Sequence, residues 1–117
     1  MNLEFTHKPN YFLFAQLLIR HVQQYIKQHP TANLEISTET LKNLFHNDTA
    51  SATTNLDGIL NIADEYKVET LQGDQKIIQS YIIDSVQHLL KLSLNSDAVV
   101  SLNDGKPLIE PNANDYT

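Results

Sequence analysis

The feature that most constrains the fold is the stretch from residue 36 to residue 67, which has the pattern of two amphipathic helices joined by a polar turn. Ser37 precedes the first apolar position and Glu39 falls in the first turn. A hydroxyl there can cap a free backbone N–H, and a carboxylate interacts favourably with the helix dipole. The run HNDT at 46–49 then interrupts the apolar spacing with residues typical of turns. The stretch therefore predicts a helix-turn-helix pair.

The start of the second helix is open, because Asp48, Ser51 and Thr54 can each precede it. Thr54 with Asp57 three residues later resembles a capping box, with Asp in place of the usual Glu or Gln. Gly58 lies inside this helix, where it costs roughly 1 kcal/mol relative to Ala. It indicates either the close approach of another backbone or a later helix start.

A long helix is predicted from residue 11 to 29, because its apolar residues recur at spacings of three and four. Asn10 is the expected N-cap, and Pro30 ends the helix. An ordinary core helix is the simpler interpretation, but the apolar surface is wider than one stripe. The side chains that widen it, and that we expect to form a surface for a second copy or another protein, are Leu13, Phe14 and Leu17.

The stretch from residue 68 to 102 allows two structures. Residues 33–37 upstream alternate as a short strand, and residues 68–71 with the turn QGDQ have the same pattern. The run 76–94 fits a helix, or strands in which the isoleucines at 77–83 pair with residues 68–71. Periodicity alone does not decide between them, although residues 90–94 alternate clearly. Asn103-Asp104-Gly105 predicts a further turn.

Length and composition indicate one domain over residues 1–110, followed by a flexible polar tail at 111–117. The chain has 117 residues, 41% of them apolar, which suits a globular domain with its own core. It has no cysteine, so disulfides, thiolate metal sites and cysteine nucleophiles are excluded. We expect no secretory leader and no membrane span, and we expect a cytoplasmic location.

The charge is uneven along the chain. The net charge is −6, yet residues 1–47 hold four basic and three acidic side chains, and residues 48–117 hold four basic and eleven acidic ones. Affinity for a phosphate backbone requires clustered Lys and Arg. One Arg and seven scattered Lys do not provide that, so the sequence predicts at most weak binding to DNA.

Four stretches over residues 10–102 follow the order of a winged helix: FLFAQLLIRHVQQYI, ISTETLKNLF, the helix ending in ADEYKVETL, and IIDSVQHLLKLSLNSDAVVSL. Through them the chain resembles the N-terminal winged-helix domain of plasmid replication initiator proteins. The resemblance implies strand, turn, strand and short helix in the last stretch, and for that reason we favour strands there. It also implies origin binding and dimerisation. The fold expected is α+β and winged-helix-like, with a long N-terminal helix, a helix-turn-helix pair and C-terminal β-hairpins.

This sequence departs from the initiator pattern in two ways. The second winged-helix domain of such initiators has no counterpart here. The second helix of the pair has no Lys or Arg before Lys67, so any contact with DNA depends on hydroxyl and amide groups. Capping and solvated residues are the simpler interpretation of those groups. The candidates for DNA contact are Ser51, Thr53, Thr54 and Asn55.

No constellation of catalytic or metal-binding residues is visible. The five histidines lack the spacing of a helical metal site, and Asp64 and Glu65 are adjacent and so point in different directions on a helix. Neither a nucleophile elbow nor a phosphate-binding loop is present. We expect no enzyme activity, no cofactor, no metal and no small-molecule substrate.

Two functional classes remain. The first is a winged-helix module of a plasmid or phage system that acts in replication or regulation, through protein contacts, a dimer or weak DNA contact. The second is an acidic inhibitor that occupies a basic nucleic-acid channel, as some anti-CRISPR proteins do. A solvated acidic face without a partner gives the same pattern. The acidic residues that would form the partner surface are Asp57, Asp64, Glu65, Glu69, Asp74 and Asp84.

Overall fold

Five helices and six short strands make up residues 4–111, the part of the chain that this computed structural model describes, with side chains described from Tyr11 onward. The helices are α1 (Glu4–Gln28), α2 (Thr38–Leu44), α3 (Thr49–Ala52), α4 (Leu56–Ala63) and α5 (Ser96–Asn103). The strands are β1 (Asn33–Ser37), β2 (Lys67–Thr70), β3 (Gly73–Lys76), β4 (Ile78–Asp84), β5 (Leu89–Leu94) and β6 (Leu108–Ile109). The expected α+β class is confirmed.

Helix α1 begins at Glu4, seven residues before the predicted start, and ends at Gln28 as expected from Pro30. The predicted N-cap at Asn10 is wrong, because Asn10 lies inside the helix. Apolar spacing identified the buried face correctly but not the start, since a polar segment can continue a helix without contributing to the apolar period. The buried side chains of this face are Phe14, Ala15, Leu18, Ile19, Val22 and Ile26.

The predicted cap of α2 is confirmed. The backbone N–H of Thr40 donates to the Ser37 hydroxyl oxygen at 3.1 Å. The chain then turns through His46 and Asn47, both with positive φ, and Asp48 caps α3 by accepting from the Ser51 N–H at 3.1 Å. The expected polar turn at 46–49 is thus followed by a short helix, α3, which begins after Asp48, one of the three predicted starts.

Helix α4 begins at Leu56, and the expected capping box of Thr54 and Asp57 is wrong. The N-cap is Asn55, whose side chain makes no capping hydrogen bond. Because α3 occupies residues 49–52, Thr54 lies in the connection, and the backbone N–H of Asn55 donates to the Ala50 carbonyl at 2.8 Å. A polar residue three positions before Asp57 was therefore not sufficient to identify a cap.

Gly58 allows close packing between α4 and α1. A Cβ at this position would lie 2.9 Å from Cε2 of the Tyr11 ring. The approaching group is thus a side chain of α1 and not another backbone. This contact explains why the helix contains the residue with the second-poorest helix propensity.

The stretch that allowed two structures forms antiparallel strands. Sheet A has the order β1-β5-β4, and sheet B has the order β3-β2-β6. The expected pairing of the isoleucine run with residues 68–71 is wrong. Strand β2 instead pairs with β3 across the two residues Leu71 and Gln72, which Gly73 permits with a φ of 99°. Strand β4 pairs with β5.

The core lies between one face of sheet A and the helices. Leu90 and Leu92 of β5 are buried, and the pairing places Ile36 and Leu34 of β1 beside them. The predicted turn at 103–105 is confirmed, with Gly105 at a φ of 87° after α5. Residues 112–117 of the expected tail lie outside the described residues. Within residues 4–111, no helix combines the length and apolar character that crossing a bilayer requires.

Candidate interaction surfaces

The exposed side of α4 is tied to strand β4 by a polar cluster. The Tyr81 hydroxyl donates to Oδ1 of Asp57 at 2.7 Å and lies 3.4 Å from Oδ1 of Asn61. The bond to Asp57 raises the pKa of Tyr81 to about 12, helped by burial and by the negative charges of Asp57 and Asp64. The cluster therefore fixes the orientation of the β4–β5 hairpin against the helix pair.

Three of the six candidate acidic residues are ion-paired. Glu65 lies 3.4 Å from the Lys76 ammonium, Glu69 lies 3.7 Å from that of Lys106, and Asp84 lies 3.6 Å from that of Lys91. The pairs are half-exposed, so each is worth little to stability. They do neutralise half of the acidic surface that the sequence predicts.

The other three acidic residues differ in their surroundings. Asp57 is held by Tyr81. Burial raises the pKa of Asp64, with Lys76 opposing and Glu65 reinforcing the change. Asp74 lies directly opposite Glu69 in the β2–β3 pair, which places two carboxylates on one face of a small sheet. The predicted acidic residues thus lie on α4, in the turn directly after it, on sheet B and at the β4–β5 turn.

Asp84 shapes the turn of the β4–β5 hairpin. Its Oδ1 accepts from the backbone N–H groups of Gln87 at 2.9 Å and Val86 at 3.0 Å. The Gln87 N–H lowers the pKa of Asp84 most; burial opposes this, and the Val86 N–H and Lys91 reinforce it. Because the carboxylate accepts two local bonds, its first role is structural.

The candidate DNA contacts do not form one surface. Ser51 is buried at 3% exposure, so its side chain is not available to a partner. The Thr53 hydroxyl is exposed but donates to the Thr49 carbonyl at 2.7 Å. Thr54 is exposed and Asn55 is half-buried at the start of α4. Thr54 and Asn55 remain as candidates for contact, and Thr53 remains only as an acceptor.

The candidate dimer residues on α1 also separate. Phe14 is buried at 5% exposure and stacks on Phe45, with 4.9 Å between ring centroids, so its assignment to a partner surface is wrong. Leu17 packs against the core and is partly buried. Leu13 is exposed. The wide apolar surface of α1 exists because α4, α5 and α2 all pack against it and cover more than one side.

Sequence patterns missed the apolar surface of the β4–β5 hairpin. Ile82, Ile83 and Val86 are exposed by 63%, 39% and 86% of their surface. A signal was present, because Ile82 and Ile83 are consecutive and must point to opposite faces of a strand. Both can be buried only where both faces of the sheet are covered.

A shallow groove of about 420 Å³ lies between α1 and β1, with His21 and Tyr25 on one side and Glu35 and Ser37 on the other. Burial lowers the pKa of His21, which favours a neutral imidazole. Among the described residues no group of three or more His, Asp or Glu side chains is arranged to hold a metal ion. The groove offers one carboxylate and several hydroxyls without a common focus.

Comparisons with known proteins do not place this chain in a family. No protein-family model matches it, and no curated protein or solved structure shows significant similarity to it.

Proposed function

We propose that this chain is a non-catalytic, winged-helix-like binding module that acts mainly through protein–protein contacts in the replication or regulation of a mobile element, in the cytoplasm. The order of elements supports the winged-helix assignment. A helix and a short strand, α1 and β1, precede the helices α2 to α4, and the hairpin β4–β5 follows. Strand β5 pairs with β1, so the hairpin extends the strand that enters the helix pair. The small β2–β3 hairpin is an insertion into that order.

The charge of α4 is the observation that carries the choice of protein over DNA. Its exposed residues are Asp57 and Asn61, with Asp64 following at its end, and the helix contains no Lys or Arg. A duplex placed along this helix would meet carboxylates where counterion release requires cations. The neighbouring Lys76, which acts on the charge of Asp64, is itself paired with Glu65.

The direct test is a titration of labelled duplex DNA with the protein at low salt and again at higher salt. We expect no binding in either condition. The control is the variant Asn61→Lys with Asp64→Lys, which adds two cations to the exposed side of α4 and should produce weak binding that decreases with salt. Wild-type binding at low salt that falls steeply as salt increases would overturn the preference for protein contacts.

An acidic inhibitor of a nucleic-acid enzyme is the second candidate, because Asp57 on α4 and Asp64 at its end give negative charge to a helix that contains no Lys or Arg. It ranks second because Glu65, Glu69 and Asp84 are each paired with a lysine. It predicts inhibition of a basic nuclease that weakens with salt and is lost in the double lysine variant. Inhibition that is equal for the wild type and that variant would exclude it.

A further inference from the structure

The free edge of β4 points to the identity of the protein partner, an inference that rests on the proposed function. We propose that the partner is a second copy of this chain, and that the two copies join by antiparallel pairing of their β4 strands about Ile82. The result is one six-stranded sheet that runs through both copies.

Strand β4 is an edge strand with an apolar surface. Sheet A has the order β1-β5-β4, so among the described strands β4 pairs with β5 alone. The backbone groups on the other side of such a strand form a template for another strand. Ile82 is 63% exposed and Ile83 is 39% exposed, so pairing would remove apolar surface from water on both faces.

The register within sheet A assigns the side chains of β4 to two faces. Tyr81 and Ile83 pair with Leu92 and Leu90, which places them on the core face. Ser80, Ile82 and Asp84 pair with Ser93, Lys91 and Leu89 and therefore lie on the outer face. A bulge between Ile78 and Ser80 interrupts the strand before this segment. Residues 80–84 are thus the regular part of the edge.

One symmetric register pairs every side chain of this segment with a suitable neighbour. With Ile82 opposite its own counterpart, Tyr81 lies opposite Ile83 of the second copy, and Ser80 lies opposite its Asp84. Aromatic with β-branched, apolar with apolar, and hydroxyl with carboxylate are all favourable cross-strand pairs. Both copies make the same contacts, as a two-fold interface requires.

The neighbouring symmetric registers are poorer. A shift in one direction places Ile82 opposite Asp84, and a shift in the other direction places Ile82 opposite Ser80 and Ile83 opposite Gln79. Shifts by a single residue in the pairing would put side chains of the core face opposite those of the outer face, which the pleat does not allow. The sequence of β4 therefore favours one self-complementary alignment.

Charge also favours this edge over the rest of the surface. Two copies that each carry a net charge of −6 repel each other, so they must meet where little charge is present. Residues 80–84 contain one charged side chain, Asp84, and Lys91 lies 3.6 Å from it. Because the remaining repulsion is screened by ions, the dimer should become tighter as salt increases, in contrast to any complex with DNA.

Pairing of β4 with β4 closes after two copies. Pairing of β4 with β1, the other edge of sheet A, would instead add copies without limit. The proposal therefore predicts a monomer–dimer equilibrium with no larger species.

Disulfide trapping tests the register, since the wild-type chain contains no cysteine. Three single variants are oxidised under the same conditions: Ile82→Cys, Ser80→Cys and Val100→Cys. Directly opposite residues on paired strands are near the separation that a disulfide spans. The two copies of residue 80 would be about 14 Å apart along the strands, beyond its reach. Val100 is 60% exposed on α5 and controls for random collision.

We expect at least about tenfold more disulfide dimer from Ile82→Cys than from the other two variants, because pairing raises the effective concentration of the thiols far above the bulk value. Equal trapping at all three positions, or none at Ile82→Cys, would overturn the proposal. Dominant trapping at Ser80→Cys would also overturn it, because the register would be wrong.

Sedimentation of charge variants tests the interface without a crosslink. Ile82→Glu places two carboxylates at the two-fold axis, while in the single copy the new carboxylate faces Lys91, so folding should be preserved. We expect dimerisation to weaken by roughly tenfold to a hundredfold. Val100→Glu, at nearly the same exposure, should leave it unchanged, and Leu13→Glu tests the alternative surface on α1.

A wild-type chain that remains monomeric at every concentration would refute this inference and leave the proposed function in place, provided that the DNA titration is negative. Salt-sensitive DNA binding would refute the proposed function whatever the oligomeric state. Species larger than a dimer would refute pairing through β4 alone. Loss of the dimer in Leu13→Glu but not in Ile82→Glu would assign the contact to α1.

Discussion

Two regions of the molecule are built from strongly apolar stretches: the contact between α1 and α4, and the β4–β5 hairpin. The apolar side chains of the first are buried, whereas several of the second are exposed to solvent. In the helical contact, the Tyr11 ring of α1 lies against Gly58 of α4, and on the same helix α1 Phe14 stacks on Phe45 at the end of α2. In the hairpin, Ile82 and Val86 are mostly exposed. The difference shows that apolar content predicts burial only when neighbouring elements cover every side of the segment.

The largest effect that separates the two regions is expected from adjacent residues of α1. Phe14→Ala removes a buried ring and should destabilise the fold by about 3–5 kcal/mol. Leu13→Ala, at 42% exposure, should change the stability by less than about 1 kcal/mol. Chemical denaturation of both variants measures the difference. Equal effects would mean that the boundary between core and surface on α1 is misplaced.

A smaller effect is expected at the contact between helices. Gly58→Ala improves helix propensity but places a methyl group 2.9 Å from the Tyr11 ring. We expect the overpacking to exceed the gain and leave a net loss of roughly 1 kcal/mol. The Tyr11→Ala background removes the obstructing ring, and in it the same substitution should become stabilising. A double-mutant cycle measures the coupling, and additive effects would contradict the packing explanation.

How far the sequence predicts the fold depends on how local the relevant forces are. The Ser37 cap, the turn at Gly105 and the end of α1 before Pro30 were predictable because each depends on a few neighbouring residues. The strands of β4 and β5 were favoured only through the resemblance. The partner of β2 was not predictable, because two segments could pair with it. The two-residue turn at Leu71 and Gln72 brings β3 back onto β2, and the isoleucine run pairs elsewhere.

The candidate surfaces were less predictable than the fold. The sequence identifies the carboxylates, but only tertiary structure places Lys76, Lys91 and Lys106 beside three of them. The sequence assigns Phe14 to a partner surface because α1 is apolar on more than one side. Ile82 lies in an apolar run and is nevertheless 63% exposed. In both cases the missing information was which neighbouring elements cover the segment.

The link between the two regions is the hydrogen bond from Tyr81 to Asp57. Tyr81→Phe keeps the ring on the core face and removes the hydroxyl, so the fold should lose about 0.5–1 kcal/mol. Asp57→Asn, which can still accept the bond, should lose less. Thermal unfolding of the two variants distinguishes them. No change in Tyr81→Phe would mean that the hairpin is held by packing alone.

The same bond gives a pH dependence. The pKa of Tyr81 in the fold is about 12, above its ordinary value of 10.0, so the folded state holds this proton more tightly than the unfolded chain. The contribution to stability is fully present below pH 10.0 and is lost as the pH rises toward 12. The difference in stability between the wild type and Tyr81→Phe should therefore decrease over that interval. A constant difference would contradict the assignment.

The smallest effect on stability is expected at the tip of the hairpin, where Asp84 is involved in a turn rather than in the core. Asp84→Ala removes the acceptor for the N–H groups of Val86 and Gln87, whose amide hydrogens should then exchange faster with solvent. Lys91→Ala removes only the ion partner of Asp84 and should leave that exchange nearly unchanged. Because the folded pKa of Asp84 is lowered, its ionised carboxylate stabilises the turn at pH values above the ordinary carboxyl pKa. This stabilisation is lost as the pH falls through the lowered pKa. Acidification should therefore reproduce the effect of Asp84→Ala in the wild type. If Lys91→Ala accelerates exchange equally, the ion pair and not the two backbone bonds holds the turn.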